Sequence, residues 1–509
     1  MAVMSISNRP TTLGALRSSG YQSRTVREEI HRNVVERLRS GRQLLPGIIG
    51  YEETVVPELE NALLAGQSIV LLGERGQGKS RLIRSLVQFL DDYVPYIPGT
   101  ETHDDPLGPI SAVGRQIVAE KGDGAPVAWL HRSERYGEKL ATPDVSMADL
   151  IGDVDPIKVA EGRYLGDELT IHYGLIPRTN RGIFCVNELP DLAERIQVGL
   201  FNLMEEQDVQ IRGYNVRLPL DIVVVATANP EDYTNRGRII TPLKDRFGAQ
   251  IRTHYPLSTQ HERSIVEQEV VSFSDAGVRV VMPEFMAEII AELSHQARRS
   301  SDVNQRSGVS VRLSISNHET LKSAALKRAI TLGEAVAAPR MTDLPSLSAS
   351  MRGKIELETF EEGREDKVID CLTREAVLGV FSQIFPEGSL FELISQFEAG
   401  HTADTSAASN SATYRHMVDD VPALISVIDR LQCNGTDAEA ASAIEFVLEG
   451  LHLSRQLNRD VVKGGFRYMK QRPPEPKPGD VSGLEMSNFE REEIRRRIRQ
   501  RHRRNRDEL

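Results

Sequence analysis

The residues best suited to chemistry lie between Ser68 and Leu90, where a short apolar strand pattern runs into a glycine-rich loop. Gly73 and Gly78 have the spacing of a phosphate-binding loop, because a Lys-Ser pair follows directly. Glycines let backbone N–H groups surround a phosphate, and the start of the next helix adds partial positive charge. The residues predicted to bind phosphate are Gly73, Glu74, Arg75, Gly76, Gln77, Gly78, Lys79 and Ser80.

Lys79 and Ser80 have separate predicted roles in this loop. A lysine at this position reaches the β- and γ-phosphates of a nucleotide, and the serine hydroxyl holds Mg²⁺. A helix pattern follows, with one apolar face made of Leu82, Ile83, Leu86, Val87 and Leu90. A strand before the loop and a helix after it are the context that the motif requires. The sequence therefore predicts a nucleotide site.

A second apolar strand, Gly182 to Val186, runs into Asn187 and Glu188. Apolar residues followed by two acids form the Walker B pattern, in which the aspartate holds the Mg²⁺ shell and the glutamate polarises the attacking water. Asn187 replaces the aspartate and brings no negative charge, so reduced Mg²⁺ affinity or turnover is expected. Glu188 is the candidate base; the alternative is a solvated loop carboxylate.

A third apolar run, DIVVVATA, ends at Asn229. Its continuous apolar character predicts a strand buried on both faces of a parallel sheet. Ligands bind at the carboxyl ends of such strands, where an amide could orient water or contact the γ-phosphate. The alternative is that Asn229-Pro230 is only a turn.

Composition is that of an ordinary soluble protein of 509 residues with a net charge of −11, long enough for two to four domains. The charge argues against a mainly nucleic-acid-binding surface. The three cysteines form no CxxC pair, so a zinc site or a disulfide framework is not expected. Without a leader pattern or an apolar run of membrane length, a cytoplasmic protein with no membrane contact is predicted.

The rest of the chain supplies elements around these residues. Ile48, Ile49 and Tyr51 precede the loop and could contact a nucleotide base or belong to the core. The predicted segments are a loose arm at 1–24, a helix from Val26 to Leu38, a strand at 126–132, a loop-rich insertion at 150–182, a hairpin at 207–221, helices at 261–338 and 365–470 with a flexible loop at 399–413, a proline-rich linker at 472–483, and an arginine-rich tail. For the tail, a solvated helix is favoured over a basic arm for an acidic partner or nucleic acid.

These motifs occur in an order that resembles an AAA+ ATPase. Residues 44–335 resemble more narrowly the ATPase subunit of magnesium chelatases and MoxR-type proteins, through PGIIGYEE, ADLIGDVD, GLIPRTNRGIFCVNELPDL and LKDRFG. The resemblance implies an α/β fold: a P-loop NTPase parallel sheet flanked by helices, then an α-helical lid. It carries nothing over to residues 1–40 and 340–509, where the sequence pattern predicts a mostly helical C-terminal region. The predicted divisions are 1–43, 44–256, 257–340, 341–471 and 472–509.

The resemblance also implies ATP and Mg²⁺ as cofactors and a homo-oligomeric ring with ATP at subunit interfaces. Glu188 would be the catalytic glutamate, Asn229 the sensor-1 residue, Arg246 an arginine finger entering the neighbouring site, and Arg312 the sensor-2 arginine of the lid. Ser80 and Asn187 would face the metal.

Three functions stay open at this point. The first is a motor that remodels a client or adaptor protein, for instance one with a von Willebrand A domain; no DxSxS motif occurs here, so that partner would be a separate chain. The second is a true magnesium chelatase subunit that supports metal insertion into a porphyrin by partner subunits. The third is a nucleotide-gated scaffold of low turnover, suggested by Asn187. A transcription activator is disfavoured because GAFTGA is missing.

Overall fold

A computed structural model describes residues 9–155, 157, 160, 168–206, 208–210, 217–229, 238–271, 277–305, 307–358 and 363–470. The strands are β1 Ile69–Leu72, β2 Tyr93–Tyr96, β3 Ala128–His131, β4 Tyr136–Leu140, β5 Gly152–Val154, β6 Ile171–Tyr173, β7 Gly182–Asn187, β8 Asp208–Gln210, β9 Arg217–Pro219, β10 Ile222–Ala228, β11 Ala249–Arg252, β12 Arg279–Val280, β13 Val336–Ala337, β14 Ala403–Ser406, β15 Asn458–Val462 and β16 Gly465–Met469.

The α-helices described are α1 Leu13–Ser18, α2 Val26–Arg39, α3 Val55–Leu64, α4 Lys79–Ser85, α5 Ala112–Lys121, α6 Met147–Leu150, α7 Leu175–Arg178, α8 Glu194–Glu205, α9 Thr241–Arg246, α10 Thr259–Glu269, α11 Glu284–Arg299, α12 Arg312–Leu332, α13 Leu347–Met351, α14 Arg364–Ile384, α15 Phe391–Glu398, α16 Ser411–Asp420, α17 Leu424–Arg430 and α18 Asp437–Leu453. Short 3₁₀ helices cover Leu86–Phe89, Gly122–Gly124, Arg132–Arg135, Glu168–Thr170, Leu189–Asp191 and Met341–Ser346.

The central sheet has five parallel strands in the order β11-β1-β10-β7-β4. Every residue of β7 and β10 is buried, as their continuous apolar runs predict. Alternate residues face opposite sides, so Ile69 and Leu71 pack with α2 to α4, whereas Val70 packs in the cluster beneath α8. The predicted parallel sheet flanked by helices is confirmed.

The N-terminal segment is packed against the sheet domain, and the prediction of a loose arm is wrong for residues 9–24. Leu13 and Leu16 of α1 are buried, and the Trp129 indole donates a hydrogen bond of 2.9 Å to the Pro10 carbonyl. Two apolar residues in a polar stretch are enough to dock one short helix. The following helix, α2, is fixed by a buried ion pair in which Arg135 donates to Glu29 at 2.7 and 2.6 Å.

Three small antiparallel sheets surround the central sheet. The predicted strand at 126–132 is β3, which pairs with β2. The insertion contains the β5–β6 pair, and the predicted hairpin contains the β8–β9 pair. The tip of that hairpin, 211–216, lies outside the described residues.

The lid helices α11 and α12 and the C-terminal region share one hydrophobic core. Phe285 of α11 stacks on Phe446 of α18 with ring centroids 4.5 Å apart. The expectation of a flexible loop at 399–413 is wrong, because β14 lies there and pairs with β16. The mostly helical C-terminal region is confirmed by α14 to α18, and it also contains the three-stranded sheet β14-β16-β15.

The predicted proline-rich linker and arginine-rich tail lie outside the described residues, so the role of the tail stays a prediction. Cys185 and Cys433 are buried and Cys371 is exposed, all three as free thiols. Among the described helices, none combines the length and the apolar character needed to cross a bilayer.

Candidate nucleotide site

The phosphate-binding loop connects β1 to α4 in a conformation that only glycine adopts easily. Gly76 and Gly78 have φ angles of 74° and 73°. A Cβ on Gly73 would lie 2.0 Å from Thr253 Oγ1, and one on Gly76 would lie 1.9 Å from Ser310 Oγ. The loop glycines are therefore required both by backbone conformation and by close approach of neighbouring segments.

Lys79 links the loop to the end of β10. Its side chain is 9% exposed. The ammonium donates to the carbonyl oxygens of Gly73 and Glu74, the latter at 2.7 Å, and to Asn229 Oδ1 at 2.7 Å. The structure thus brings together two predicted site residues that are far apart in sequence.

Gln77 and Tyr51 hold the loop in place. The Gln77 side-chain oxygen accepts from the Glu74 N–H at 3.1 Å and from Thr253 Oγ1 at 2.7 Å. The Tyr51 hydroxyl lies 2.6 Å from the Gln77 carbonyl oxygen and 2.7 Å from that of His254. Burial raises the pKa of Tyr51 to about 12, so the phenol stays a neutral donor at physiological pH.

A cavity of about 90 Å³ lies beside the loop. Its lining includes Ile48, Ile49 and Tyr51 together with Gly76 to Gly78 and Val311 of the lid. Ile48 and Tyr51 are buried, as expected of core residues, and they also line the cavity, as a contact with a nucleotide base would require. A contact with the nucleotide base stays a prediction.

Glu188 occupies a strained position directly after β7. Its φ and ψ are 57° and 48°, a left-handed conformation that costs a non-glycine residue about 1–3 kcal/mol. Its N–H donates to Thr227 Oγ1 at 2.9 Å, and that hydroxyl lies 3.3 Å from Asn187 Oδ1. The ends of β7 and β10 are therefore joined through Thr227, a residue that the sequence analysis did not single out.

Glu138 is a further charged residue beside Asn187 that was missed. It lies on β4, where it accepts hydrogen bonds from Asn187 Nδ2, from Arg84 at 2.8 and 2.9 Å, and from the Tyr136 hydroxyl at 2.9 Å. Hydrogen bonding from Arg84, ahead of that from Tyr136, lowers the pKa of Glu138 despite partial burial. No motif marks this glutamate, because its position depends on the register between β4 and β7.

The two arginines taken from the resemblance lie on helices outside the β1–α4 loop, Arg246 on α9 and Arg312 on α12. Arg246 ends α9 and donates to Glu205 and, at 2.7 Å, to the Pro242 carbonyl; its guanidinium lies 4.7 Å from the centre of the Phe201 ring. None of these contacts is with the phosphate-binding loop. Arg312 is exposed at the first residue of α12, and its N–H donates at 3.1 Å to Ser310, which touches Gly76.

The donor set fits a magnesium nucleotide better than a protein-held transition metal. The described residues contain no group of three or more His, Cys, Asp or Glu placed to hold a metal. Ser80, Asn187 and the nearby Glu138 offer oxygen atoms, and Mg²⁺ is usually bound by one or two carboxylates with waters and substrate phosphates.

Several known proteins are similar in sequence to part of this chain. No family model matches the chain. It is 26% identical over 236 residues to the magnesium-chelatase subunit ChlI of Nostoc sp., spanning 43% of this chain and 57% of that protein. The 38 kDa magnesium-chelatase subunit of Cereibacter sphaeroides is 25% identical over 43% of this chain and 61% of that protein. Chloroplastic ChlI-1 of Arabidopsis thaliana is 28% identical over 42% of this chain and 50% of that protein. This chain is a relative of magnesium-chelatase subunits.

The relationship has clear limits. The chain spans between about half and three fifths of the length of these relatives. One chain of a solved complex of the magnesium chelatase subunits BchI and BchD aligns with 63% of this chain over 97% of its own length. Its sequence identity to this chain is 17%, and the TM-score is 0.32. The predicted resemblance to magnesium-chelatase subunits is confirmed at the level of sequence similarity.

Proposed function

We propose that this protein binds ATP with Mg²⁺ and hydrolyses it as an AAA+ motor that remodels or activates a partner protein. The observation that carries the proposal is the 2.7 Å hydrogen bond between Lys79 and Asn229, which joins the phosphate-binding loop to the carboxyl end of β10. A lysine among loop amides and an amide at the neighbouring strand end suit the recognition of a terminal phosphate.

Each residue then has a defined task. Lys79 exchanges the carbonyl oxygens of Gly73 and Glu74 for phosphate oxygens. Glu188 takes a proton from the attacking water. The hydrogen bond from its backbone N–H to Thr227 Oγ1 fixes the position from which its side chain extends. Asn229 orients that water or contacts the γ-phosphate. Bound Mg²⁺, held by Ser80 and Asn187, would neutralise charge on the phosphates.

Arg246 and Arg312 complete the proposed site. Arg246 contacts Glu205, Pro242 and Phe201 within its own chain, and in the proposed homo-oligomeric ring it leaves Glu205 to enter the site of a neighbouring copy. Arg312 acts from the lid. The client is a separate protein, and one with a von Willebrand A domain is the first to test.

The deciding experiment measures ATP turnover of the full chain against protein concentration. Glu188→Gln and Arg246→Ala should each retain nucleotide binding but lose turnover about 100-fold or more, because each removes a group needed only for the reaction. Arg17→Ala is the control, since it removes another ion-paired but exposed arginine.

Mixing the two inactive variants sharpens the test. In a ring with shared sites, a Glu188 from one variant meets an Arg246 from the other, so part of the activity should return. A mixture that stays inactive would contradict the shared site. Wild-type activity that is independent of concentration would leave no support for assembly-dependent turnover.

A low-turnover scaffold is the second candidate because of Asn187, which lacks the usual charge. Tight ATP binding without measurable turnover, with or without clients, would favour it. The chelatase reading is tested separately, by asking whether the chain supports Mg²⁺ insertion into a porphyrin with the other chelatase subunits.

A further inference from the structure

We propose that Glu138, on the strand next to Asn187, supplies the negative charge that the Walker B position lacks, and thereby holds the Mg²⁺ shell of the bound nucleotide. The proposal rests on the proposed ATP-binding function. It assigns a metal-facing role to a residue outside every motif of the chain.

The register of the sheet places the two side chains on one face. β4 and β7 are parallel neighbours, with Glu138 opposite Cys185 and Leu140 opposite Asn187. Since side chains alternate along a strand, Glu138 and Asn187 project from the same side. The Asn187 amide nitrogen donates directly to Glu138 Oε1.

The same carboxylate faces the phosphate-binding helix. Arg84, which holds Glu138 with two hydrogen bonds, lies on α4 one turn after Ser80. Ser80 is the residue predicted to hold Mg²⁺. The Glu138 side chain is 20% exposed, so it is neither sealed in the core nor free in solvent. Its hydrogen bonds therefore join the end of β7 to α4, the two elements that carry Asn187 and Ser80.

The amide at position 187 is matched to this neighbour. The Asn187 side-chain oxygen lies near the Thr227 hydroxyl and, at 3.6 Å, near Cys185 Sγ, which leaves its NH₂ group for Glu138. A carboxylate at position 187 would meet the Glu138 carboxylate instead, and like charges at hydrogen-bonding distance repel. The Glu138–Asn187 pair therefore carries one negative charge, as the usual aspartate does. The charge lies on β4 and not at the end of β7.

The competing explanation is a purely structural ion pair between Glu138 and Arg84. The two explanations differ in what restores function after Glu138 is neutralised. If only the charge matters, an aspartate at position 187 should replace it. If the ion pair matters, that aspartate should not help, and loss of Arg84 should do the same damage as loss of Glu138.

The test titrates Mg²⁺ against a fluorescent ATP analogue bound to the full chain. The proteins are the wild type, Glu138→Gln, Asn187→Asp, the double variant, Arg84→Gln, and Lys79→Ala as the binding blank. Glu138→Gln should raise the Mg²⁺ midpoint about 10- to 100-fold, the usual cost of losing a partner of a metal shell. Its affinity for the analogue in EDTA should not change.

The double variant should return the midpoint to within a few-fold of wild type. Asn187→Asp alone should give no improvement, and Arg84→Gln should not weaken Mg²⁺ binding. Thermal unfolding of each variant checks that the fold is kept. An unchanged midpoint in Glu138→Gln, or a double variant as weak as Glu138→Gln, would overturn the proposal while leaving ATP binding intact. A wild type that binds the analogue no better than Lys79→Ala would overturn the proposed function as well.

Discussion

Two cavities of this molecule differ in how their polar groups are held. The cavity beside the phosphate-binding loop measures about 90 Å³, and the one in the C-terminal region about 360 Å³. The smaller cavity adjoins left-handed glycines and lies in the domain that holds the strained Glu188. The larger cavity is lined by Glu445 and Glu449, which already accept hydrogen bonds from Tyr414 and Tyr468.

The difference separates residues placed for chemistry from residues placed for stability. In the α/β domain, the polar groups come from strand ends and one loop, and one of them, Glu188, has a left-handed backbone conformation. Between the lid and the C-terminal region, a buried network joins Arg328, Arg340, Glu334 and Asp343, and its groups pair with one another and with neighbouring backbone carbonyl oxygens.

The largest expected effect is on activity, at Lys79. Lys79→Ala should reduce ATP turnover about 1000-fold, because charge on the transferred phosphate loses its preorganised ammonium donor. The urea midpoint of the full chain should change little. A variant that keeps wild-type turnover would remove the site assignment; one that unfolds would place Lys79 among the stabilising residues instead.

The next effect is on stability, at Arg340. The side chain is fully buried, donates to the Ser409 carbonyl at 2.9 Å and lies 4.9 Å from the Tyr414 ring centre. Arg340→Leu should lower the free energy of unfolding by about 3–5 kcal/mol, since buried acids lose their cation. Nucleotide affinity should be kept wherever the variant is folded.

Arg415→Leu is the matched control for Arg340. Its ion pair with Asp437 is exposed, so its loss should cost under about 1 kcal/mol in the same urea titration. Equal destabilisation by the two variants would mean that burial does not set the value of these charges.

A stability effect no larger than that at Arg340 is expected at Glu262, which joins the three lid helices. It accepts from Arg298 at 2.5 and 2.9 Å and from Ser314 at 2.6 Å. Burial alone would raise its pKa, but His295, 3.4 Å away, and the hydrogen-bonded Arg298 lower it to about 2, from an ordinary 4.5. Glu262→Gln should therefore cost about 3 kcal/mol of unfolding free energy at pH 7.

The sign of the pH dependence follows from the lowered pKa. The carboxylate's contribution is fully present above about pH 4.5 and is lost as the pH falls towards about 2. The difference between wild type and Glu262→Gln in urea titrations should shrink over that window. Glu284→Gln, which alters an exposed ion pair of the same lid, should show no comparable convergence.

Sequence reasoning predicted the parts of the fold that depend on local pattern. The continuous apolar runs of β7 and β10 predict buried parallel strands, and the loop spacing predicts the phosphate site. It failed where few or polar residues determine the packing. In β14 the buried residues are Ala403 and Thr405, so an alternation of small and polar side chains resembles a loop.

Long-range register accounts for the rest. Glu138 and Thr227 meet Asn187 only because β4, β7 and β10 align in one register. The approach of Ser310 to Gly76 depends on how the lid folds over the loop. Neither relation leaves a spacing in the chain that could be recognised without the structure.

The contact of Ser310 with Gly76 has a mechanical consequence. A second tie runs nearby, where the Tyr255 hydroxyl donates at 2.8 Å to the Arg75 carbonyl and the Arg298 guanidinium lies 4.5 Å from the Tyr255 ring centre. The lid shares a single hydrophobic core with the C-terminal helices, and close-packed cores transmit strain instead of absorbing it. The predicted phosphate-binding loop and the C-terminal region are therefore connected through the packed lid, and we expect a displacement of the loop to shift the C-terminal core.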